Sequence, residues 1–344
     1  MSFNEIIGQQ EVKKLLKNTL IKQRIASAYL FVGPSGIGKA TAAFNFAKAM
    51  NCSLHKADSC PKVHSEEICS SCKKIDAFSH PDVTVLFPVP KKFREENRRN
   101  ELQQANKIHS YRKTEIITID DVRDIAEILL MKPFEAKRRV IIIIDGETMN
   151  TEAQNAFLKI LEEPPLDTTI ILTSSQPERL FLTILSRCQK ISFRRLTEEE
   201  IKGFILGKGN YSNEDIELVS HLSNGSLSRA VELLDENRKI EREILKMILI
   251  KNDYEKLKET FDKEKLVRFI DFLIPFLRDV RIVETGQKLL CVDIEGFTHS
   301  IHKRYSNGEL NETFELLRNS LTNISRNINP ELISNVVFDR LKGD

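Results

Sequence analysis

The sequence predicts an α/β domain built on a five-stranded parallel sheet with helices on both faces, followed by two all-α domains. Three observations predict it. First, five short apolar runs, Tyr29–Val32, Val83–Phe87, Val140–Ile144, Thr169–Thr173 and Ile191–Phe193, are mostly separated by stretches with helical periodicity. Short buried strands that alternate with helices make a parallel sheet covered on both sides. Second, no strand pattern follows Arg195. Third, glycine supplies only 13 of 344 residues and tryptophan none, which argues against an all-β chain dense in turns.

The elements follow in order. Residues 1–26 predict a helix, with Val12, Leu15, Leu16 and Leu20 at helical spacing. The strand Tyr29–Val32 runs into Gly33–Lys39 and a helix over Ala40–Met50. Thr151–Glu163 places Ala153, Ala156, Phe157, Ile160 and Leu161 on one face, and Pro164-Pro165 stops that helix. The α/β domain spans 1–195 and carries a cysteine-bearing insertion at 52–72 and a basic one at 88–113. Thr197 with Glu200 makes a capping box that opens a small helical domain over 196–239, broken at Asn224-Gly225. A larger helical bundle follows over 240–344, striped by Leu266, Ile270, Leu273 and Leu277.

With 30% charged residues and a mean hydropathy of −0.29, the chain reads as soluble. Its longest aliphatic run, Val140–Ile144, falls far short of the roughly 18 residues of a membrane span. The opening residues lack an apolar h-region, so no secretory signal is expected and the compartment is the reducing cytoplasm. A net charge of +2 excludes strong steering of the whole chain towards nucleic acid or anionic lipid. Residues 88–113 are different: eight Lys or Arg against three Glu leave a local +5. The plainer reading is a solvated insertion between two strands, and the sharper one a phosphate-binding patch.

Gly33-Pro34-Ser35-Gly36-Ile37-Gly38-Lys39 is G-x-x-x-x-G-K between a strand and a helix. The glycines let backbone N–H groups turn inward around phosphates, the helix N-terminus adds positive potential, and Lys39 reaches the terminal phosphates. The next residue ordinarily holds Mg²⁺ through a hydroxyl. Here it is Ala40, and Thr41 lies about 100° further round the helix. Asp145 closes the strand Val140–Ile144 where a metal-binding aspartate is expected, but Gly146 stands where hydrolysing proteins of this architecture have a glutamate, and Glu147 is one place late. The losses at Ala40 and Gly146 strike metal and water separately, so the chain is expected not to hydrolyse ATP. Whether the degenerate loop still binds nucleotide stays open. Cys52, Cys60, Cys69 and Cys72 cluster within 21 residues, and in a reducing compartment metal binding explains them better than disulfides.

Taken together, several segments resemble the AAA+ clamp-loader subunits of bacterial DNA polymerase III over about the first 230 positions. They are Ile6-Ile7-Gly8-Gln9, Tyr29-Leu30-Phe31 leading into Gly33–Lys39, and the four cysteines with His80-Pro81-Asp82. They continue with Ile119-Asp120-Asp121-Val122-Arg123, the run from Asn155 through Leu158-Lys159-Ile160-Leu161-Glu162-Glu163-Pro164-Pro165, and Thr183-Ile184-Leu185-Ser186-Arg187-Cys188. The resemblance implies an AAA+ ATP-binding domain, a helical lid and a helical collar that joins subunits. It implies a hetero-oligomeric ring with gamma/tau and delta type subunits, which opens the sliding clamp and loads it on primer-template DNA. It implies that Arg187 is an arginine finger reaching a neighbour's ATP site. Ala40 and Gly146 place the chain with the non-hydrolysing members. The lid arginine of the motor members falls at Ser228, with Arg229 one place late.

The resemblance also implies a structural zinc held by Cys52, Cys60, Cys69 and Cys72, with His64 or His80 able to replace one cysteine. Cys188 and Cys291 read as packed residues. Two rivals remain on sequence alone: an ATP-hydrolysing motor subunit that tolerates Ala40, and a DNA-binding module that uses residues 88–113.

Overall fold

The computed structural model describes residues 3–53, 69–88, 115–235, 263–287, 289, 291, 294–303, 305–325 and 328–342. The strands are β1 (Ala28–Val32), β2 (Val83–Leu86), β3 (Arg139–Ile143), β4 (Thr168–Ser174) and β5 (Gln189–Ser192). All pair in parallel, in the order β2-β3-β4-β1-β5. β4 therefore sits between the strand that leads into Gly33–Lys39 and the strand that leads to Asp145. The five-stranded parallel sheet with helices on both faces is the one the sequence predicts.

Strand alternation sends side chains to two faces, and each face has its own layer. Tyr29, Phe31, Val140, Ile142, Ile171 and Ile191 pack with α1 (Gln10–Ile21) and α2 (Lys39–Asn51). Leu30, Val32, Ile141, Ile143, Ile170 and Leu172 pack on the other face with α4 (Ile119–Leu129), α5 (Thr151–Glu162) and α6 (Leu182–Arg187). A short α3 (Ser70–Asp76) follows α2 and is tied to it by the buried Lys48, whose ammonium meets Asp76 and, at 3.6 Å, Glu5.

The helix predicted over 1–26 is corrected to α1. Gln9 takes a left-handed φ of +51°, and its side-chain amide pairs with the backbone of Arg194 in both directions. A single 3-10 turn, Phe3–Glu5, precedes it. Val12 and Leu16 are buried, while Leu15 is exposed.

Asp82 and Arg139 form a buried ion pair. Asp82 accepts backbone N–H bonds from Phe134, Glu135 and Ala136, and Arg139 donates to the carbonyls of Ile128, Met131 and Lys132. The loop between α4 and β3 is thus fixed from within, although Leu130, Met131 and Phe134 on it are exposed.

Beyond β5 every element among the described residues is helical: α7 (Glu198–Leu206), α8 (Asn213–Leu222), α9 (Leu227–Leu234), α10 (Lys263–Ile282), α11 (Glu295–His302), α12 (Asn307–Ser325) and α13 (Pro330–Lys342). Thr197 and Glu200 cap α7 reciprocally, as the sequence predicts, and Asn224 and Gly225 both turn left-handed at the expected break. The chain divides into two compact units, 1–204 with 225–228, and 205–224 with 229–344. The second has its own core, in which the predicted stripe Leu266, Ile270, Leu273 and Leu277 meets Leu310, Leu317 and Val337. No helix among the described residues is long and apolar enough to cross a membrane.

Candidate functional site

β1 and β4 end together, with Val32 opposite Ser174, and Gly33 extends their ladder by donating to the Ser174 carbonyl at 3.2 Å. The loop Gly33–Lys39 springs from that carboxyl edge of the sheet and ends as α2 begins. Lys39 is buried, and its ammonium donates to the carbonyls of Gly33 and Pro34, each at 2.7 Å. These bonds fix the lysine over the loop, where its charge falls on whatever anion the loop cradles. Ala40 presents no oxygen and Thr41 is exposed. The loop thus keeps the glycines and the lysine of a phosphate-binding turn, but it lacks the hydroxyl that ordinarily binds the metal.

A second segment seats on the loop. The Gly36 carbonyl accepts the N–H groups of Leu227 and Ser228 at 2.8 and 3.2 Å. Gly36 has φ +76°, and a Cβ there would collide with Ser226 and Ser228, so only glycine fits this turn. Ser228, where the resemblance places the motor members' lid arginine, is therefore beside the loop. The charge of Arg229, the next residue, opposes the rise that burial gives the carboxyl of Asp271.

Asp145 stands at the same sheet edge, two strands from β1. Its N–H donates to Thr173 Oγ1 at 3.1 Å. Gly146 leaves no room for a side chain, because a Cβ would strike Leu172. Glu147 is buried and turned to β4, where its Oε1 accepts from Ser175 N–H at 2.9 Å and Ser175 Oγ at 2.6 Å. One carboxylate oxygen of the acidic residue after Gly146 is thus taken by Ser175.

Arg187 ends α6, immediately before β5. Because β5 runs parallel to β1, with Gln189 opposite Tyr29, Arg187 lies at the amino edge of the sheet. A strand length of about 13 Å separates it from the edge that carries Gly33–Lys39. Its Nη1 donates to the Thr183 carbonyl at 3.2 Å and its Nη2 to Glu162 Oε1 at 3.0 Å. Neighbouring Cys188 is mostly covered, and burial pushes its thiol up to about 12, which makes it inert at neutral pH. Cys291 is fully buried in the helical core.

Cys52, Cys69 and Cys72 come together, all buried, with their sulfurs within 4.8 Å of one another. Cys52 caps the C-terminus of α2 and Cys69 the N-terminus of α3. Cys69 and Cys52 Sγ lie 3.7 Å apart, and two thiolates on one tetrahedral zinc lie about 3.8 Å apart. Burial pushes the Cys69 thiol up. Hydrogen bonds from the N–H groups of Cys72 and Ser53 and from the Cys72 and Cys52 thiols outweigh it and bring it down to about 6. The donor set therefore fits a metal that prefers thiolates. Cys60 and His64 lie outside the described residues, as does all of the basic insertion 88–113 beyond Pro88. His80 is not brought into the cluster: its Nδ1 accepts from Asp82 N–H and its Nε2 lies 3.7 Å from Glu135.

Sequence reasoning missed Leu172 beneath Gly146, the Ser226–Ser228 segment on Gly36, and Glu162 beside Arg187. Glu162 left a signal as part of the run before Pro164-Pro165, and Ser228 as the place where the resemblance puts a lid arginine.

The family described as "DNA polymerase III, delta subunit" matches residues 8–197, more than half of the chain. Over 300 residues the chain is 28% identical to the DNA polymerase III subunit delta' of Bacillus subtilis, covering 83% of this chain and 82% of that protein. It is 32% identical over 251 residues to the DNA polymerase III subunit tau of the same organism, covering 71% of this chain but only 39% of tau. A solved gamma subunit-related protein of Thermotoga maritima aligns over 96% of this chain and 100% of its own at 17% identity, with a TM-score of 0.46. With a five-stranded parallel sheet, a glycine-rich loop at its carboxyl edge and a family match through both, the chain belongs to the DNA polymerase III delta-subunit family of clamp-loader proteins.

Proposed function

We propose that the chain is a delta prime-type subunit of the DNA polymerase III clamp loader, acting in the cytoplasm with gamma/tau and delta type subunits. It braces the ring that opens the sliding clamp and loads it on primer-template DNA, and it lends Arg187 to the ATP site of a neighbour. Residues 196–239 form the lid and 240–344 the collar that joins subunits. Cys52, Cys60, Cys69 and Cys72 hold a structural zinc.

The single observation that carries this reading is the split between the two edges of the sheet. The chain's own loop, at the carboxyl edge, lacks the hydroxyl at Ala40 and has Leu172 in place of a catalytic side chain at Gly146. The intact arginine is at the amino edge, where it faces no phosphate of its own. A charge placed there can stabilise the γ-phosphate only across an interface.

The test is ATP turnover, by the isolated chain and by the complex assembled with its partners. The isolated chain turns over ATP at background rate, and measurable hydrolysis would make it a motor subunit instead. In the assembled complex Arg187→Ala lowers turnover per complex, since a finger contributes on the order of 10³–10⁵ at one site in related chemistry. The loss is partial overall, because sites served by other fingers continue. Arg187→Lys rescues poorly, since a point charge lacks the planar fork. Weaker assembly with unchanged turnover in the remaining complex would make Arg187 a tether and refute the finger.

A further inference from the structure

A long arginine side chain stabilises a charge across an interface only when its direction is set before the partner arrives, because an unaimed guanidinium must first be ordered. Arg187 is aimed. One N–H of its fork is taken by the Thr183 carbonyl and another by Glu162 Oε1, while 37% of the side chain stays exposed. Among the described residues nothing else binds it.

Glu162 is an odd residue for its position. It is the last residue of α5, at the negative end of the helix dipole, where a carboxylate is locally disfavoured and a cation preferred. Its neighbours Ile160 and Leu161 are buried, but its own side chain is half exposed and its partner is Arg187. Pro164-Pro165 then stops the chain from continuing as helix, which fixes where the carboxylate sits. The backbone carbonyl of Thr183 takes Nη1 whatever the surrounding side chains are. The placement of Nη2, and with it the rotation of the planar fork, depends on Glu162.

We propose that Glu162 is a positioning residue for Arg187, holding one edge of the guanidinium so that the rest of the fork is presented to the phosphate bound by a neighbouring subunit. This rests on the reading of Arg187 as a finger. The carboxylate touches no nucleotide and acts only through the arginine.

The test uses the complex assembled from this chain and its ATPase partners, with steady-state turnover measured against ATP concentration. Glu162→Ala lowers kcat per assembled complex by roughly two- to five-fold, the range an exposed ion pair sustains, and leaves KM for ATP unchanged, as the loss of an interaction made only in the transition state requires. Glu162→Gln, which keeps an acceptor oxygen, recovers part of the loss. In an Arg187→Ala background, Glu162→Ala has no further effect. A purely structural glutamate would lower turnover there as well, so an additive loss overturns the proposal. An unchanged or higher kcat in Glu162→Ala alone overturns it too, the higher value because it would make the pair a brake. If Arg187→Ala lowers turnover while both Glu162 variants do not, the finger stands and the positioning role fails. If Arg187→Ala changes nothing, both fail together.

Discussion

At position 146 the absence of a side chain is a packing decision as well as a chemical one. Leu172, buried under Gly146, fills the place where a Cβ would go. Gly146→Glu is therefore expected to cost about 1–3 kcal/mol of overpacking and to yield no ATP turnover, alone or with Ala40→Thr. A denaturant melt and an ATPase assay of each variant check both halves. Asp82 gives a second residue-scale test. Burial pushes its carboxyl up, but the N–H groups of Glu135, Phe134 and Ala136 and the Arg139 guanidinium outweigh that and hold it below the ordinary range. A lowered folded value means its stabilisation is complete above about pH 3.9 and fades as pH falls through the folded value. Asp82→Asn should flatten the acid side of the stability profile. At pH 7 it should also cost about 3–5 kcal/mol by stranding Arg139. Acid melts of both proteins read this out. Lys39, Ala40 and Gly146 were legible in sequence because their chemistry is local to a motif. Leu172, Glu162 and the Asp82–Arg139 pair were not, because each partner is 25 or more positions away and only the sheet brings them together.

Among the elements, the strands were the most legible, since a short aliphatic run can bury itself in few other ways. The first helix was the least. Its apolar spacing, Val12 to Leu20, does not mark where the helix begins, and the turn at Gln9 is held by the backbone of Arg194, far along the chain. The cysteine module was legible as a cluster, and its placement was not: Cys52 ends one helix and Cys69 begins the next, so the group is a clip between α2 and α3. Freshly purified protein should contain about one zinc per chain, released by thiol modification. Cys69→Ser with Cys72→Ser should speed hydrogen exchange over 69–82 and in the last turn of α2, with the helices beyond 263 unaffected. Metal analysis and exchange mapping decide it, and metal-free protein with the same exchange pattern would remove the site.

At the scale of the molecule, the two compact units have separate cores. One is gathered around the sheet and the other around Phe269, Ile270, Leu273 and Phe276 of α10. Phe276→Ala should cost about 3–5 kcal/mol, and scanning calorimetry should show only the C-terminal unit's transition moving down. A loss spread equally over all transitions would mean that the chain unfolds as one. The opposite placement of Arg187 and Gly33–Lys39 on the sheet has a consequence for assembly. If Arg187 is the finger proposed above, the surface that gives and the surface that receives are different patches, and such patches would stack subunits head to tail and not face to face. Such a stack has a direction. On that reading, a chain with the giving patch and without the chemistry of the receiving one would not be an interchangeable link in it. The proposed reading would therefore put it where a donor is needed and no turnover is asked of it, at one end of the row of working sites.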